Sequence, residues 1–124
     1  MKKLAVYGSL LEGFGNNGLL RDSKKLSSEV VDIPFKMISL GGFPGLIPAE
    51  ENHNIYIEVW GVDDRTYSRV EILEGYPSFY QKAVINTSLG ECEVYVLNDP
   101  RYQSDSIIEH GSWAQHYKRR YETA

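Results

Sequence analysis

The sequence predicts an α+β fold, a strand-rich domain with about six or seven strands and two or three short helices. Three observations point to it. Ile55 to Val62 alternates, with Ile55, Ile57, Val59 and Gly61 on one side and Tyr56, Glu58, Trp60 and Val62 on the other. The pattern then changes period: after Asp63-Asp64, the residues Thr66, Tyr67, Val70 and Leu73 recur at spacings of three and four, which places them on one helix face. Finally, Tyr80–Ser88 and Cys92–Asn98 flank Leu89-Gly90, the pattern of a hairpin. Repeated βαβ units are not seen.

In chain order, Lys3–Tyr7 is expected as a first strand that ends at Gly8. The stretch Gly8 to Gly18 is rich in glycine and asparagine and predicts a loop. Leu19–Leu26 has room for one or two helical turns. Ser28–Asp32 and Lys36–Leu40 are predicted as two strands separated by Pro34, and Gly41-Gly42-Phe43-Pro44-Gly45 as a turn. The helix is expected over Arg65–Leu73, capped by Asp63 or Asp64 and stopped by Gly75 and Pro77. Ser112 is a plausible cap for a short helix beginning at Trp113.

Composition bounds the function. The 124 residues suit one domain, taken as residues 1–124. Thirteen basic against seventeen acidic residues leave a net charge of −4, which argues against a nucleic-acid surface. The chain lacks an apolar run near the ~20 residues of a membrane helix, so no membrane partner is expected. The stretch after Met1-Lys2-Lys3 is too short for a signal peptide, and a cytoplasmic location follows. Cys92 is the single cysteine, and His53, His110 and His116 are scattered, so no metal site is expected. Lys118-Arg119-Arg120 reads as a solvated helix end.

Three constellations bear on chemistry. Gly13-Phe14-Gly15-Asn16-Asn17-Gly18 spells G-x-G-x-x-G, with Asp32 at a suggestive distance. The context of a dinucleotide site is missing, because the strand ends five residues earlier and a long helix does not follow. Val6-Tyr7-Gly8-Ser9-Leu10 is a strand end that exposes successive backbone N–H groups, which suit a carboxylate or an oxyanion as well as a plain turn. Ser9 does not sit in G-x-S-x-G and is a poor nucleophile. Glu74 lies at the negative end of the predicted helix, near Tyr76, Phe79 and Tyr80. Both the dipole and partial burial would raise its pKa, as a general acid/base needs; an exposed glutamate in a frayed last turn would fit the spacing equally.

Taken in order, Val-Tyr-Gly-Ser-Leu at 6–10, Gly-Phe-Pro-Gly-Leu at 42–46, Leu-Glu-Gly-Tyr at 73–76, Phe-Tyr-Gln-Lys at 79–82 and Gly-Ser-Trp at 111–113 resemble the γ-glutamylcyclotransferase-like (AIG2-like) family across nearly the whole chain. The resemblance implies a small mixed β-barrel flanked by short helices, with a pocket at one side. It implies substrate binding by Tyr7, Gly8, Ser9 and Leu10, acid/base catalysis by Glu74, and a site wall from Tyr80, whose phenol could also bond the substrate or Glu74. It departs from the family pattern in two places: Glu71 and Ile72 stand where an aspartate is usual, and the basic residue after the tyrosine is Lys82, two positions on. The implied reaction closes a γ-glutamyl amide to 5-oxoproline and releases the amine, with no cofactor. An amino acid, a lysine side-chain amine and a small polyamine all remain open as leaving groups. The implied partner is a small-molecule γ-glutamyl substrate, and the chain is expected to be a monomer or weak homodimer. A non-catalytic small-molecule-binding or interaction domain on the same fold is the competing expectation, against which the retained Glu74 speaks.

Overall fold

A computed structural model describes residues 1–97, 99, 101 and 106–118. Its strands are β1 (Lys2–Val6), β2 (Lys24–Ser39), β3 (Pro44–Val62), β4 (Gln81–Thr87) and β5 (Gly90–Val96), with helices α1 (Asp64–Glu74) and α2 (Trp113–Tyr117) and a 3-10 turn at Asn17–Leu20. They form one mixed sheet in the order β2-β3-β1-β5-β4. β1 lies at the centre, antiparallel to β3 and parallel to β5, so the C-terminal ends of β1 and β5 emerge on the same side. The sheet curls until its edge strands meet. Glu29 on β2 accepts hydrogen bonds from the N–H (2.8 Å) and hydroxyl (2.6 Å) of Ser88 in the β4–β5 turn. These bonds, with one from Ser27, hold the Glu29 carboxyl below its ordinary pKa. The α+β class and the barrel-like curvature expected from sequence are therefore both present.

The described strands number five, fewer than expected, because the interruption at Pro34 does not end a strand. Pro34 lacks an N–H, yet β2 continues through it with a register shift between Ile33 and Phe35. Before the shift β2 pairs with His53–Gly61 of β3, and after it with Pro44–Pro48. The stretch from Pro44 to Asn54, which reads as turn and polar loop, is thus the first half of β3. Of the segment Leu19–Leu26, only the first two residues are helical, and Lys24 already belongs to β2. Asn98 of the expected last strand, and Arg119 and Arg120 of the basic run, lie outside the described residues.

Helix α1 starts where predicted. Asp63 caps it by accepting from the Thr66 N–H at 2.7 Å, and Gly75 stops it in a left-handed conformation with φ 65°. Thr66 and Val70 turn inward to a core that includes Leu4, Ile57, Val59, Val62, Val94 and Trp113. Ser112 caps α2 through the Gln115 N–H. Gly111, at φ 68°, accepts at its carbonyl from the Tyr56 N–H at 2.8 Å. A Cβ there would lie 1.8 Å from the Asn54 carbonyl oxygen, so only glycine lets this segment lie against β3. Among the described residues, no helix is long and apolar enough to cross a membrane.

Candidate active site

The chain leaves the sheet centre at Tyr7, which is buried and anchors both flanks of β1. Its hydroxyl donates to the Tyr95 carbonyl (2.7 Å) and accepts from the Leu46 N–H (3.2 Å). At Gly8 the backbone passes so close to Pro44 that a Cβ would lie 2.8 Å from the ring. The close approach that requires glycine is therefore to the Gly-Phe-Pro-Gly turn. The chain then folds into consecutive turns. Leu11 N–H donates to the Gly8 carbonyl at 3.0 Å. Asn16 donates from its backbone to the Ser9 carbonyl and from its side chain to the Ser9 hydroxyl, both at 2.9 Å. Asn17 donates to the Leu10 carbonyl at 2.8 Å. The G-x-G-x-x-G segment thus serves to hold Ser9 and Leu10 in place. None of the N–H groups of Gly8, Ser9 and Leu10 donates a hydrogen bond among the described residues.

Glu74 is the last residue of α1, and its carbonyl accepts from the Tyr80 N–H at 3.3 Å, which folds the following turn back on the helix end. This brings Phe79 and Tyr80 beside Glu74, across from the Tyr7–Leu10 turn. A cavity of about 340 Å³ opens between them, lined by all six residues singled out from the sequence: Tyr7, Gly8, Ser9, Leu10, Glu74 and Tyr80. Glu74 is the charged residue in its lining. Burial raises its carboxyl from an ordinary 4.5 to about 7, so it exchanges protons near neutrality. The same burial, with Tyr80 and Glu74 nearby, holds the Tyr7 hydroxyl well above its ordinary pKa.

One expectation changes in detail. The Tyr80 hydroxyl donates to the Pro44 carbonyl at 2.6 Å instead of to Glu74. Its ring packs edge-on against Phe79, at 4.9 Å between centroids, so Tyr80 shapes the wall and ties it to the Pro44 turn. Lys82 does not line the cavity. It pairs with Glu71 at 2.5 Å and lies over the rings of Tyr67 and Tyr76. Burial opposes its charge, but the Glu71 carboxylate and the Tyr67 hydroxyl outweigh that and raise its pKa far above the ordinary value. The two departures from the family pattern therefore satisfy each other.

Sequence reasoning missed Tyr95, Asn16 and Phe43, which also line the cavity. The Tyr95 hydroxyl is buried without a hydrogen-bond partner among the described residues, and burial pushes its pKa far up, so it stays protonated. A buried donor without a partner is costly in a folded protein. Asn16 could have been suspected from an asparagine pair in a glycine-rich loop; nothing in the strand pattern singles out Tyr95. Among the described residues no cluster of His, Cys, Asp or Glu has the arrangement of a metal site.

Known proteins share this arrangement of chain and fold. Residues 4–115 match the family described as gamma-glutamyl cyclotransferase, AIG2-like. A putative gamma-glutamylcyclotransferase of Vibrio cholerae is 31% identical over 110 residues, covering 89% of this chain and 93% of the relative. The solution structure of the Escherichia coli protein ytfP superposes with a TM-score of 0.72 at 28% identity, covering 92% of this chain and 97% of that one. An uncharacterized protein of Pyrococcus horikoshii shares the fold, with a TM-score of 0.84 at 18% identity over 99% of this chain and 98% of its own. The chain belongs to the AIG2-like gamma-glutamyl cyclotransferase family.

Proposed function

We propose that this protein cyclises the γ-glutamyl group of a γ-glutamyl amide to 5-oxoproline, with Glu74 as the proton carrier. The observation that supports this most is the pairing, in one cavity, of a carboxyl that titrates near 7 with three undonated backbone N–H groups. A general base works best when its pKa lies near the working pH. N–H groups fixed by neighbouring turns suit a substrate carboxylate or the oxyanion of a tetrahedral intermediate.

In this mechanism the α-amine of the γ-glutamyl group gives a proton to the Glu74 carboxylate. Its nitrogen attacks the side-chain carbonyl carbon, and a five-membered ring closes. Collapse of the tetrahedral intermediate breaks the original amide bond. Glu74 returns its proton to the departing nitrogen, so the products are 5-oxoproline and the free amine. The Tyr7–Leu10 turn holds the substrate in the folded shape that ring closure needs, and orientation of this kind accounts for much of the acceleration in intramolecular reactions. Tyr80 and Phe79 wall off water from the reacting atoms.

The test is incubation with a panel of γ-glutamyl compounds, measuring 5-oxoproline and free amine. Equal release of both, abolished in Glu74→Gln, is the expected result. Binding of such a compound without release of either product would instead identify a ligand-binding domain on this fold.

A further inference from the structure

Lys82 stands outside the catalytic cavity, yet it holds the segment that carries Glu74 from both sides. On the helix side its Nζ pairs at 2.5 Å with the carboxylate of Glu71, three residues before Glu74 on α1. On the far side the same Nζ lies 4.1 Å from the centroid of the Tyr76 ring, two residues after Glu74. The backbone closes the same span, because the Tyr76 N–H donates to the Glu71 carbonyl at 3.0 Å. Tyr76 in turn packs edge-on against Tyr95, a wall residue of the cavity, with 6.3 Å between centroids. The Lys82 and Glu71 side chains are only 17% and 30% exposed, so their pair escapes much of the screening that weakens surface pairs. The remaining neighbour of the ammonium is the Tyr67 ring on α1, at 4.5 Å. The Tyr67 hydroxyl donates to Glu93 on β5, and Lys2 on β1 also lies over that ring.

Resting on the cyclotransferase reading, we infer that Lys82 is a positioning residue for Glu74: it clamps the last turn of α1 to the turn that follows and so keeps the Glu74 carboxyl inside the cavity. The carboxyl needs such a hold. Glu74 ends its helix, and a left-handed glycine follows it. Helix ends open at low cost unless tertiary contacts secure them. Burial is what raises the Glu74 pKa, so a last turn that opens returns the carboxyl to water and lowers its pKa towards 4.5. The titratable neighbours of Glu74 include Tyr7 at the end of β1 and Tyr95 on β5, which both stay protonated. Misplacing a reacting group by about 1 Å can cost about 100-fold in rate. Lys82 therefore acts on the reaction through Glu71 and Tyr76, without touching the substrate.

Three variants test this. K82M removes the charge and keeps the unbranched stem, K82R keeps a charge that can pair with Glu71 and stack on the tyrosines, and E71Q weakens the pair from the other side. Each is assayed from pH 5 to 9 on the γ-glutamyl compound that wild type cyclises fastest, and the Glu74 carboxyl carbon is titrated by NMR. K82M should lower kcat by about 10–100-fold with KM changed less than about threefold. Its acid limb and its Glu74 midpoint should both fall by about one pH unit. K82R should restore most of both, and E71Q should move both in the direction of K82M. A K82M protein with kcat within about twofold of wild type, or with a loss carried by KM alone, overturns the inference. So does a Glu74 midpoint that stays in place, or one that rises, since a rise means that the unpaired Glu71 charge acts on Glu74 directly. If K82M does not fold, E71Q is judged by the same criteria. If wild type releases no 5-oxoproline from any γ-glutamyl compound, the cyclotransferase reading fails on its own. The clamp is then judged by the titration alone: a lowered Glu74 midpoint in K82M sustains it, and an unmoved or raised one overturns it.

Discussion

Replacing Glu74 by Gln keeps the shape of the side chain and removes its ability to exchange a proton, so it separates the chemistry of the site from its packing. Burial moves the carboxyl from 4.5 to about 7 in the folded chain. The unfolded chain releases the proton near 4.5 and the folded chain near 7, so between these values the folded state binds more protons. Stability therefore falls as pH rises through this window and levels off above it. The loss amounts to about 3 kcal/mol. Gln has no charge to desolvate, so Glu74→Gln should match wild type at pH 4 and exceed it at pH 8.5 by up to that amount. For a chain of this length that is a Tm higher by roughly 10 °C. Turnover should move the other way, falling by ~10²–10⁴-fold, or about 3–5 kcal/mol of barrier. Wild-type turnover should also rise with pH through about 7 as the base ionises. The assays are 5-oxoproline release and thermal melts of both proteins at pH 4, 6, 7 and 8.5. A variant that keeps more than about a tenth of the turnover removes Glu74 from proton transfer. A Tm difference that does not grow with pH refutes the buried-carboxyl argument, whatever the activity shows.

Three further substitutions follow from the same geometry. Tyr80→Phe leaves the Pro44 carbonyl without its donor and should cost about 1–3 kcal/mol in a chemical melt, with a smaller loss of turnover than Glu74→Gln; equal losses of turnover in folded variants would give Tyr80 a part in the chemistry. Gly8→Ala drives a methyl to within 2.8 Å of the Pro44 ring and should destabilise by about 1–3 kcal/mol while raising KM, and an unchanged Tm would show that the Pro44 turn yields freely. Tyr95→Phe removes a buried hydroxyl that lacks a protein partner among the described residues, so the protein should be as stable as wild type or more so; a loss of more than about 1 kcal/mol would mean the hydroxyl is satisfied in the folded protein.

The parts of the fold that were legible in the sequence are those set by local rules. Asp63 and Gly75 bound α1 through a side-chain cap and a left-handed residue, both of which are written in residue type. The β4–β5 hairpin follows from two apolar runs and Gly90, which adopts φ 92° in the turn. What was not legible depends on partners distant in sequence. Pro34 reads as a break because a proline removes a ladder bond, but β3 accommodates it with a register shift, and β2 runs on to Ser39. Pro44–Asn54 contains Pro48, Glu50, Glu51 and Asn52, a loop composition by any local measure, and it is a strand because β2 is there to pair with.

The candidate site divides along the same line. Tyr7–Leu10 and Glu74 were visible because a strand end and a helix end expose backbone and carboxyl groups wherever they occur. The environment that gives those groups their chemistry was not visible, since it is assembled by other segments. Glu58 is an instance: it reads as one more polar position in an alternating strand, yet it is 4% exposed and accepts from the Trp60 indole (3.1 Å) and the Glu12 N–H (2.9 Å). A buried carboxylate is tolerated when its lone pairs are met by donors, and here one of those donors belongs to the loop that follows the Tyr7–Leu10 turn. The loop is then held from two sides, by Glu58 at Glu12 and by the Asn16 and Asn17 amides at Ser9 and Leu10. A glycine-rich segment of this length would otherwise lose much conformational entropy on ordering. Fixing both of its ends allows the Gly8–Leu10 N–H groups to keep their direction before a substrate arrives, and that direction is what an oxyanion or carboxylate site requires.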